Sequence, residues 1–321
     1  MARHDLSALR VKIRTALPVG LVVPEHTEKE HFYRIHQNLG GVVHVTTSDP
    51  VYPSVTGKLQ HLKDEGLANF KMNRALEYIF ANFAKFTDAN IMEHIAAAER
   101  MPADIFEDAG DIGTYIHDLR EEIFAQWIET GTRPPDFEAF IHPDRDDIRA
   151  HSALAALSKF CEEWNYIPVM TELYVYSHGL KTAGALDDLG LIRQVVREGD
   201  TPCAEHDVFQ DPNRNIDRCL KCGAKWKWLL VLMDLKSSNR FKDSYFFQVS
   251  MYYEMFRKLT NIKLDMAFIL KVSKDDRTYK IEDLKRPAKL AQYAKHIIRT
   301  NEGLDLIKEL RKDNQRNVVR L

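Results

Sequence analysis

An aspartate and a lysine end one of the most apolar stretches of the chain, VLMDLKSSN, residues 231–239. From Trp226 to Met233 the residues are apolar apart from one lysine, which predicts a strand that is buried on both faces of a sheet. Asp234 and Lys236 are two residues apart, so on a strand their side chains project from one face where the strand ends. This pair indicates either an ion pair at the edge of a sheet or a reaction centre.

A second carboxylate comes from the preceding strand pattern, AGALDDLG, in which Asp187 follows small residues. If the two strands are antiparallel neighbours, Asp187 and Asp234 converge on one cation, and the backbone carbonyl of Leu235 is a further ligand. Magnesium and manganese ions prefer such oxygen ligands. Lys236 would then orient or deprotonate the water that attacks a phosphodiester.

Two helical motifs accompany these strands. Gln248 and Tyr252 in QVSMY are four residues apart and therefore share a helix face, and so do Gly113 and His117 in GTYIH. Tyr252 has an alternative role as a packed core residue. His117 lies beside the apolar stripe of its helix, and taken alone it would be an ordinary histidine.

The ordered set of G-x-x-x-H, G-x-x-D, D-x-K and Q-x-x-x-Y resembles the PD-(D/E)XK nuclease superfamily. Within that superfamily it resembles the RecB-like branch, which includes lambda-type, mitochondrial and phage exonucleases. The resemblance runs from about Pro53 to Leu270. It implies an α/β fold with a restriction-endonuclease-like mixed β-sheet core, flanked by helices and preceded by an N-terminal helical region.

The resemblance also implies roles for individual residues. Asp187 and Asp234 would hold one or two magnesium or manganese ions, with His117 as a third ligand. Gln248 and Tyr252 would steady the site or the DNA backbone. Glu172 matches an acidic position that is often found on the first strand of the family.

A chelating insert separates the two aspartates. Cys203 and His206 form C-x-x-H, and Cys219 and Cys222 form C-x-x-C. Two such pairs, separated by twelve residues, predict a closed tetrahedral zinc site with three sulfurs and one nitrogen. Because four protein ligands leave no open position, we expect this zinc to be structural and to hold a hairpin next to the active site, where the hairpin could touch DNA. The fourth cysteine, Cys161, falls on a helical apolar stripe and is expected in the core.

The pattern along the chain predicts four regions. An N-terminal extended segment covers 1–58, and a helical region that carries the histidine motif covers 59–165. The nuclease core covers 166–275 and contains the zinc-binding insert 198–227. A basic helical tail covers 276–321, where twelve Lys or Arg stand against seven Asp or Glu. A tail of this charge could meet a polyanion or could be a solvated helix.

Composition limits the class of protein. The 321 residues are 45% hydrophobic with a net charge of -2, and four cysteines are too few for a disulfide scaffold. No apolar run reaches the about 18 residues that a spanning helix needs. We expect a protein with no membrane partner, located in the cytoplasm of a bacterial cell or a phage-infected host.

The expected function is that of a Mg²⁺- or Mn²⁺-dependent deoxyribonuclease, as the resemblance implies. An exonuclease acting on single-stranded or duplex DNA ends in replication, recombination or repair is favoured, with proteins of those processes as further partners. Two alternatives remain. One is a catalytically silent, zinc-containing DNA-binding module, and the other is a DNA endonuclease, because restriction enzymes use the same metal site.

Overall fold

The structure is a computed structural model, and it describes most of the chain. The described residues are 6–17, 22–26, 31–35, 37–39, 42–44, 49–59, 65–201, 203, 206–211, 216–238, 240–284 and 287–300. Among the helices in these ranges, none has both the length and the apolar character needed to cross a membrane.

The N-terminal half contains short strands and long helices. In chain order its elements are α1 (Leu6–Ala16), β1 (Val22–His26), β2 (His31–Ile35), β3 (Gln37–Leu39), β4 (Val42–His44), β5 (Val51–Pro53), α2 (Val55–Leu59), α3 (Glu65–Asn82), α4 (Ile91–Thr130) and α5 (Ile148–Glu163). Strands β1, β2 and β5 form a small antiparallel sheet, and β3 pairs with β4. Helices α3, α4 and α5 fall in the predicted helical region 59–165, and α4 continues through Pro102.

The second half forms the main sheet. Its elements are β6 (Ile167–Ser177), β7 (Thr182–Arg197), β8 (Val208–Asp211), β9 (Ile216–Cys219), β10 (Lys225–Lys236), α6 (Asp243–Thr260), β11 (Met266–Val272) and β12 (Tyr279–Asp283). The strand order is β12-β11-β10-β7-β6, with β9 beside the start of β10 and β8 beside β9. Only β10 and β11 are parallel, and α6 connects them. The sheet is therefore mixed, and the α/β prediction is confirmed.

Helices cover both faces of the main sheet. Alternate side chains of β10 enter two separate cores, with Leu230 and Leu232 in one and Val231 and Met233 in the other. The first core is closed by α1, α2, α6 and a helix at 287–300, and the second by α4 and α5. This double burial explains why β10 is a nearly continuous apolar run.

The ladder between β7 and β10 stops before β10 ends. The antiparallel register runs to Met233 opposite Asp188, whereas β10 continues to Lys236 along β11. Beyond this point the backbone N–H of Leu235 donates to the Asp187 carboxylate, at 2.8 Å. The two strands therefore form a fork, and the predicted site residues lie in it.

The C-terminal prediction of a helical tail from residue 276 is wrong for Tyr279–Asp283, which forms β12. Tyr279 and Ile281 pack on the second core while the residues between them face outward, so the segment has the period of a strand. The pairing of β12 with β11 provides hydrogen-bond partners for an edge of β11 that would otherwise be unpaired. The helix begins only at 287. The last part of the predicted tail, 301–321, lies outside the described residues.

Candidate active site and metal centre

Acidic and basic side chains meet at the fork between β7 and β10. Asp234 is fully buried, and its Oδ2 lies 2.6 Å from Nζ of Lys236. Asp187 reaches across from β7 to bind the N–H of Leu235. The antiparallel pairing on which the sequence prediction depended is present, and it brings Asp187, Asp234, Leu235 and Lys236 together.

Helix α4 adds His117 to this cluster. Its Nδ1 lies 3.7 Å from Oδ2 of Asp187. Burial lowers the pKa of His117 to about 4, although the Asp187 charge opposes the shift. The imidazole is therefore neutral near pH 7, which is the form that binds metals.

Gly113, at the start of the same motif, lets α4 approach the end of β10 closely. A Cβ at Gly113 would come within 3.3 Å of Oγ of Ser237, which directly follows the D-x-K strand. A larger side chain would therefore require Ser237 or the helix to shift. The space beside Gly113 is occupied by Ser237.

Burial changes the protonation of the two remaining charged groups. It raises the pKa of Asp234 to about 7, and the Asp187 charge adds to this rise while Lys236 opposes it. Burial alone would lower the pKa of Lys236, but the Asp234 and Asp187 carboxylates outweigh it and raise that pKa. The carboxylates at the fork thus exceed the positive charge available to balance them.

A divalent cation fits this set of residues. Oδ1 of Asp234 is buried and has no hydrogen-bond partner within the part of the chain that the structure describes. Asp187, Asp234 and the Leu235 carbonyl supply carboxylate and carbonyl oxygens, which Mg²⁺ and Mn²⁺ favour as ligands. The residues that could hold the ion are His117, Asp187, Asp234 and the carbonyl of Leu235.

Arg120 and Asp188 are two buried residues that the sequence reasoning missed. Nη1 of Arg120 lies 2.8 Å from Oδ2 of Asp188 and also donates to the Asp187 carbonyl oxygen at 2.8 Å. Nη2 of Arg120 donates to Oε1 of Glu172 at 2.6 Å. Glu172 has a φ of +46°, an uncommon value for a residue within a strand. The arginine thus joins α4 to both strands of the hairpin that carries the acids.

Signals for this pair are present in the sequence. Arg120 follows Ile116 by four residues and so falls on the apolar stripe of α4. Asp188 is adjacent to Asp187 in a strand, so the two carboxylates must face opposite sides of the sheet. Arg120 and Asp188 each place a charge on a surface that is expected to be buried, so each is expected to have a partner of opposite charge.

Gln248 and Tyr252 share a face of α6, as predicted, but the tyrosine is buried. Nε2 of Gln248 donates to the Tyr252 hydroxyl at 3.2 Å. The ring lies against β7 at Gly184, where a Cβ would come within 2.7 Å of it. These contacts support the packing role of Tyr252. They leave the half-buried Gln248 as the member of the pair nearer to solvent.

The predicted zinc ligands form a second cluster. The ligand atoms of Cys203, His206, Cys219 and Cys222 all lie within 4.8 Å of one another. Sγ of Cys203 is 3.8 Å from Sγ of Cys219, and Sγ of Cys222 is 3.5 Å from Nδ1 of His206. Tetrahedral zinc with bonds of about 2.3 Å to sulfur and 2.05 Å to nitrogen requires separations of about 3.8 Å and 3.6 Å. These two separations therefore fit a zinc centre.

Hydrogen bonds within the C-x-x-C turn favour the form of Cys219 that binds a metal. The N–H of Cys222 donates to Sγ of Cys219, and the N–H of Gly223 donates to the Cys219 carbonyl. Burial favours the neutral thiol, but hydrogen bonds from the Cys222 backbone and from His206 outweigh it and lower the pKa of Cys219 to about 6. The thiolate, the form that binds zinc, is thereby favoured.

The expectation that the zinc hairpin lies next to the active site is wrong. Strand β9 pairs with the first residues of β10, and Asp217 on β9 accepts hydrogen bonds from the indoles of Trp226 and Trp228. Asp234 is nine residues beyond Lys225 on the same strand, which is about 30 Å at 3.3 Å per residue. The insert joins β7 to β10 at the end of the ladder opposite the fork. The two clusters are therefore separate sites.

Cys161 lies in the second core, as predicted.

No protein-family model matches the chain, and no curated protein matches it in sequence.

Proposed function

We propose that the protein is a divalent-metal-dependent nuclease of the RecB-like type that hydrolyses phosphodiester bonds in DNA. The convergence of Asp187, Asp234, Lys236 and His117 at one strand fork is the observation that carries this proposal. These residues come from three separate elements, α4, β7 and β10, and a structural ion pair at a strand end would require only Asp234 and Lys236.

The arrangement of the strands supports a restriction-endonuclease-like core. Strands β6, β7 and β10 are antiparallel neighbours, and β11 follows α6 in parallel to β10. Because β10 and β11 point the same way, their carboxyl ends lie at one edge of the sheet, where open α/β sheets commonly bind ligands.

Each residue of the fork has a role in the proposed reaction. His117, Asp187, Asp234 and the Leu235 carbonyl would hold Mg²⁺ or Mn²⁺, which when bound polarises the phosphoryl group and promotes attack by water. Lys236 orients the nucleophile and attracts the phosphate. Gln248, anchored by Tyr252, steadies the substrate backbone.

Basic residues around the fork suit a polyanionic substrate. Lys236 is in register with Lys271 at the ends of the two parallel strands. Exposed Arg240 and Lys242 follow in the loop before α6. These basic residues follow the fork in the chain or are in register with it, and they would contact backbone phosphates rather than bases.

The decisive test is degradation of end-labelled linear DNA, single-stranded and duplex, with Mg²⁺, Mn²⁺ or EDTA. Wild type is expected to release label only with metal, and Asp234→Ala and Lys236→Ala are expected to abolish release. Lys227→Ala is the matched control, because Lys227 is on the same strand and lies 3.9 Å from Asp265 at the far end from the fork. This control should retain activity.

A folded wild-type protein that cleaves no DNA with either metal would refute the nuclease proposal. DNA binding without cleavage would then favour the silent binding module. Closed circular DNA separates the remaining classes, because an exonuclease needs an end and an endonuclease does not.

A further inference from the structure

Two tyrosine rings stand beside the acidic fork without a role in the chemistry above. Tyr33 on β2 and Tyr174 on β6 have ring centroids 6.1 Å apart and planes inclined by 57°. Tyr174 is 37% exposed and Tyr33 is partly exposed. Their inclined faces form an aromatic notch, named here by these two residues, that is open to solvent on one side.

The notch lies within reach of the carboxylates. Tyr174 follows Glu172 by two residues on β6, a separation of about 7 Å along a strand. It is paired with Ala185, which precedes Asp187 by two residues on β7. Tyr33 also contacts the backbone of Ala185. A nucleotide whose phosphate is at the fork could therefore place its base at the notch.

The sheet surface around the notch is shaped by small residues. Ala183 and Ala185 face the small N-terminal sheet, and Ala183 packs with its residues Ile35 and Tyr52. The rings of Tyr33 and Tyr174 lie beside this surface, and each keeps part of its area exposed. On the other face, Gly184 is covered by the buried ring of Tyr252, so that ring offers no surface for stacking.

We propose that Tyr33 and Tyr174 form a stacking site for the nucleobase adjacent to the scissile phosphate in an unpaired DNA strand. The assignment rests on the proposed nuclease function and names its substrate more closely. Aromatic side chains bind bases of single strands through their flat faces, largely without regard to sequence. A base within a duplex has both faces covered by its neighbours, so only an unpaired or splayed base can enter the notch.

The test measures stacking directly, without cleavage. Single-stranded oligonucleotides with 2-aminopurine at the 3′ or the 5′ terminal position are mixed with the full chain carrying Asp234→Asn, in Mg²⁺. Stacking on an aromatic ring quenches the fluorescence of 2-aminopurine. We expect quenching at one of the two ends, which also identifies the end that enters the site.

Ring removal gives the quantitative prediction. Adding Tyr33→Leu or Tyr174→Leu should abolish the quenching and weaken oligonucleotide binding about 5- to 150-fold. Tyr174→Phe, which keeps the ring, should retain both. Tyr293→Leu removes a ring of similar exposure, 49%, from the helix at 287–300 and should change neither. Circular dichroism establishes that each variant is folded.

The outcomes separate this proposal from the function on which it rests. Quenching at neither end, or quenching that persists in both leucine variants, overturns the stacking site even if wild type degrades DNA. Conversely, ring-dependent quenching by a wild type that cleaves nothing supports the stacking site and refutes only the nuclease activity.

Discussion

Replacing Arg120 by methionine tests how much the site depends on one buried cation. Arg120 and Asp188 are both 0% exposed, and their charged atoms are 2.8 Å apart. Methionine keeps much of the apolar stem but leaves the Asp188 carboxylate buried without its partner. Breaking a buried ion pair from one side costs about 3–5 kcal/mol. Glu172 is partly exposed, so water can replace its contact at lower cost.

This cost can be read as a shift of the melting temperature. With an unfolding entropy of about 2.1 cal/mol/K per residue, a chain of this length loses about 1.5 °C per kcal/mol, so Tm should fall by about 5–8 °C. Thermal unfolding followed by circular dichroism measures the shift. Arg197→Met is the matched control, because Arg197 forms an ion pair of 2.7 Å with Asp200 in which both side chains are more than half exposed. A pair of that kind contributes about 0–1 kcal/mol.

A second substitution identifies the origin of the cost. Burial raises the pKa of Asp188, and Arg120 opposes that rise. In Arg120→Met the folded-state pKa therefore lies further above the unfolded value. Relative to wild type, the variant then binds more protons between the wild-type folded pKa of about 8 and its own higher folded pKa, so the deficit grows as pH rises through that interval and shrinks below it. Adding Asp188→Asn should recover much of the stability lost in that interval. Additive losses in the double variant, or a deficit independent of pH, would refute the reasoning.

Two further predictions concern the zinc site and a surface histidine. Purified protein should contain about one zinc ion per chain. Cys219→Ser should lose it, while Cys161→Ser, which alters a buried cysteine outside the cluster, should keep it. Metal-free wild type would contradict the assignment. His151, held between Asp146 and Glu138 at 2.6 and 2.8 Å, has a raised pKa, with the Asp146 hydrogen bond as the larger cause. NMR should show the His151 imidazole titrating above pH 6.5, and Glu138→Gln should lower its pKa. The stabilisation from its contacts with Asp146 and Glu138 should be present below pH 6.5 and lost as pH rises through the raised pKa. A wild-type pKa at or below 6.5 would count against these two contacts.

Residues that act through local spacing were predictable from the sequence. The two-residue spacing of Asp234 and Lys236 placed both on one face of β10, and the C-x-x-C spacing of Cys219 and Cys222 produced a chelating turn. The long apolar run from Trp226 to Met233 also identified β10, because a strand buried on two faces leaves little freedom in composition.

The errors concern relations between elements that the sequence does not encode locally. The zinc hairpin follows Asp187 in the chain, yet it lies about 30 Å from Asp234 because β7 continues for ten residues past Asp187 before it turns. Strand β12 was missed because half of its short pattern is polar, and only its pairing with β11 fixes its conformation.

Asp187 and Asp188 are adjacent on β7 and have different partners. Asp187 faces the fork, while Asp188 holds Arg120, which is three residues beyond His117 on α4. The same guanidinium donates to the carbonyl oxygen of Asp187, so the helix that carries His117 is attached to the strand that carries the carboxylate proposed to bind metal. A planar guanidinium can make these contacts together, and a lysine ammonium cannot. The position of His117 relative to Asp187 is thus set by an ion pair that lies outside the proposed metal shell.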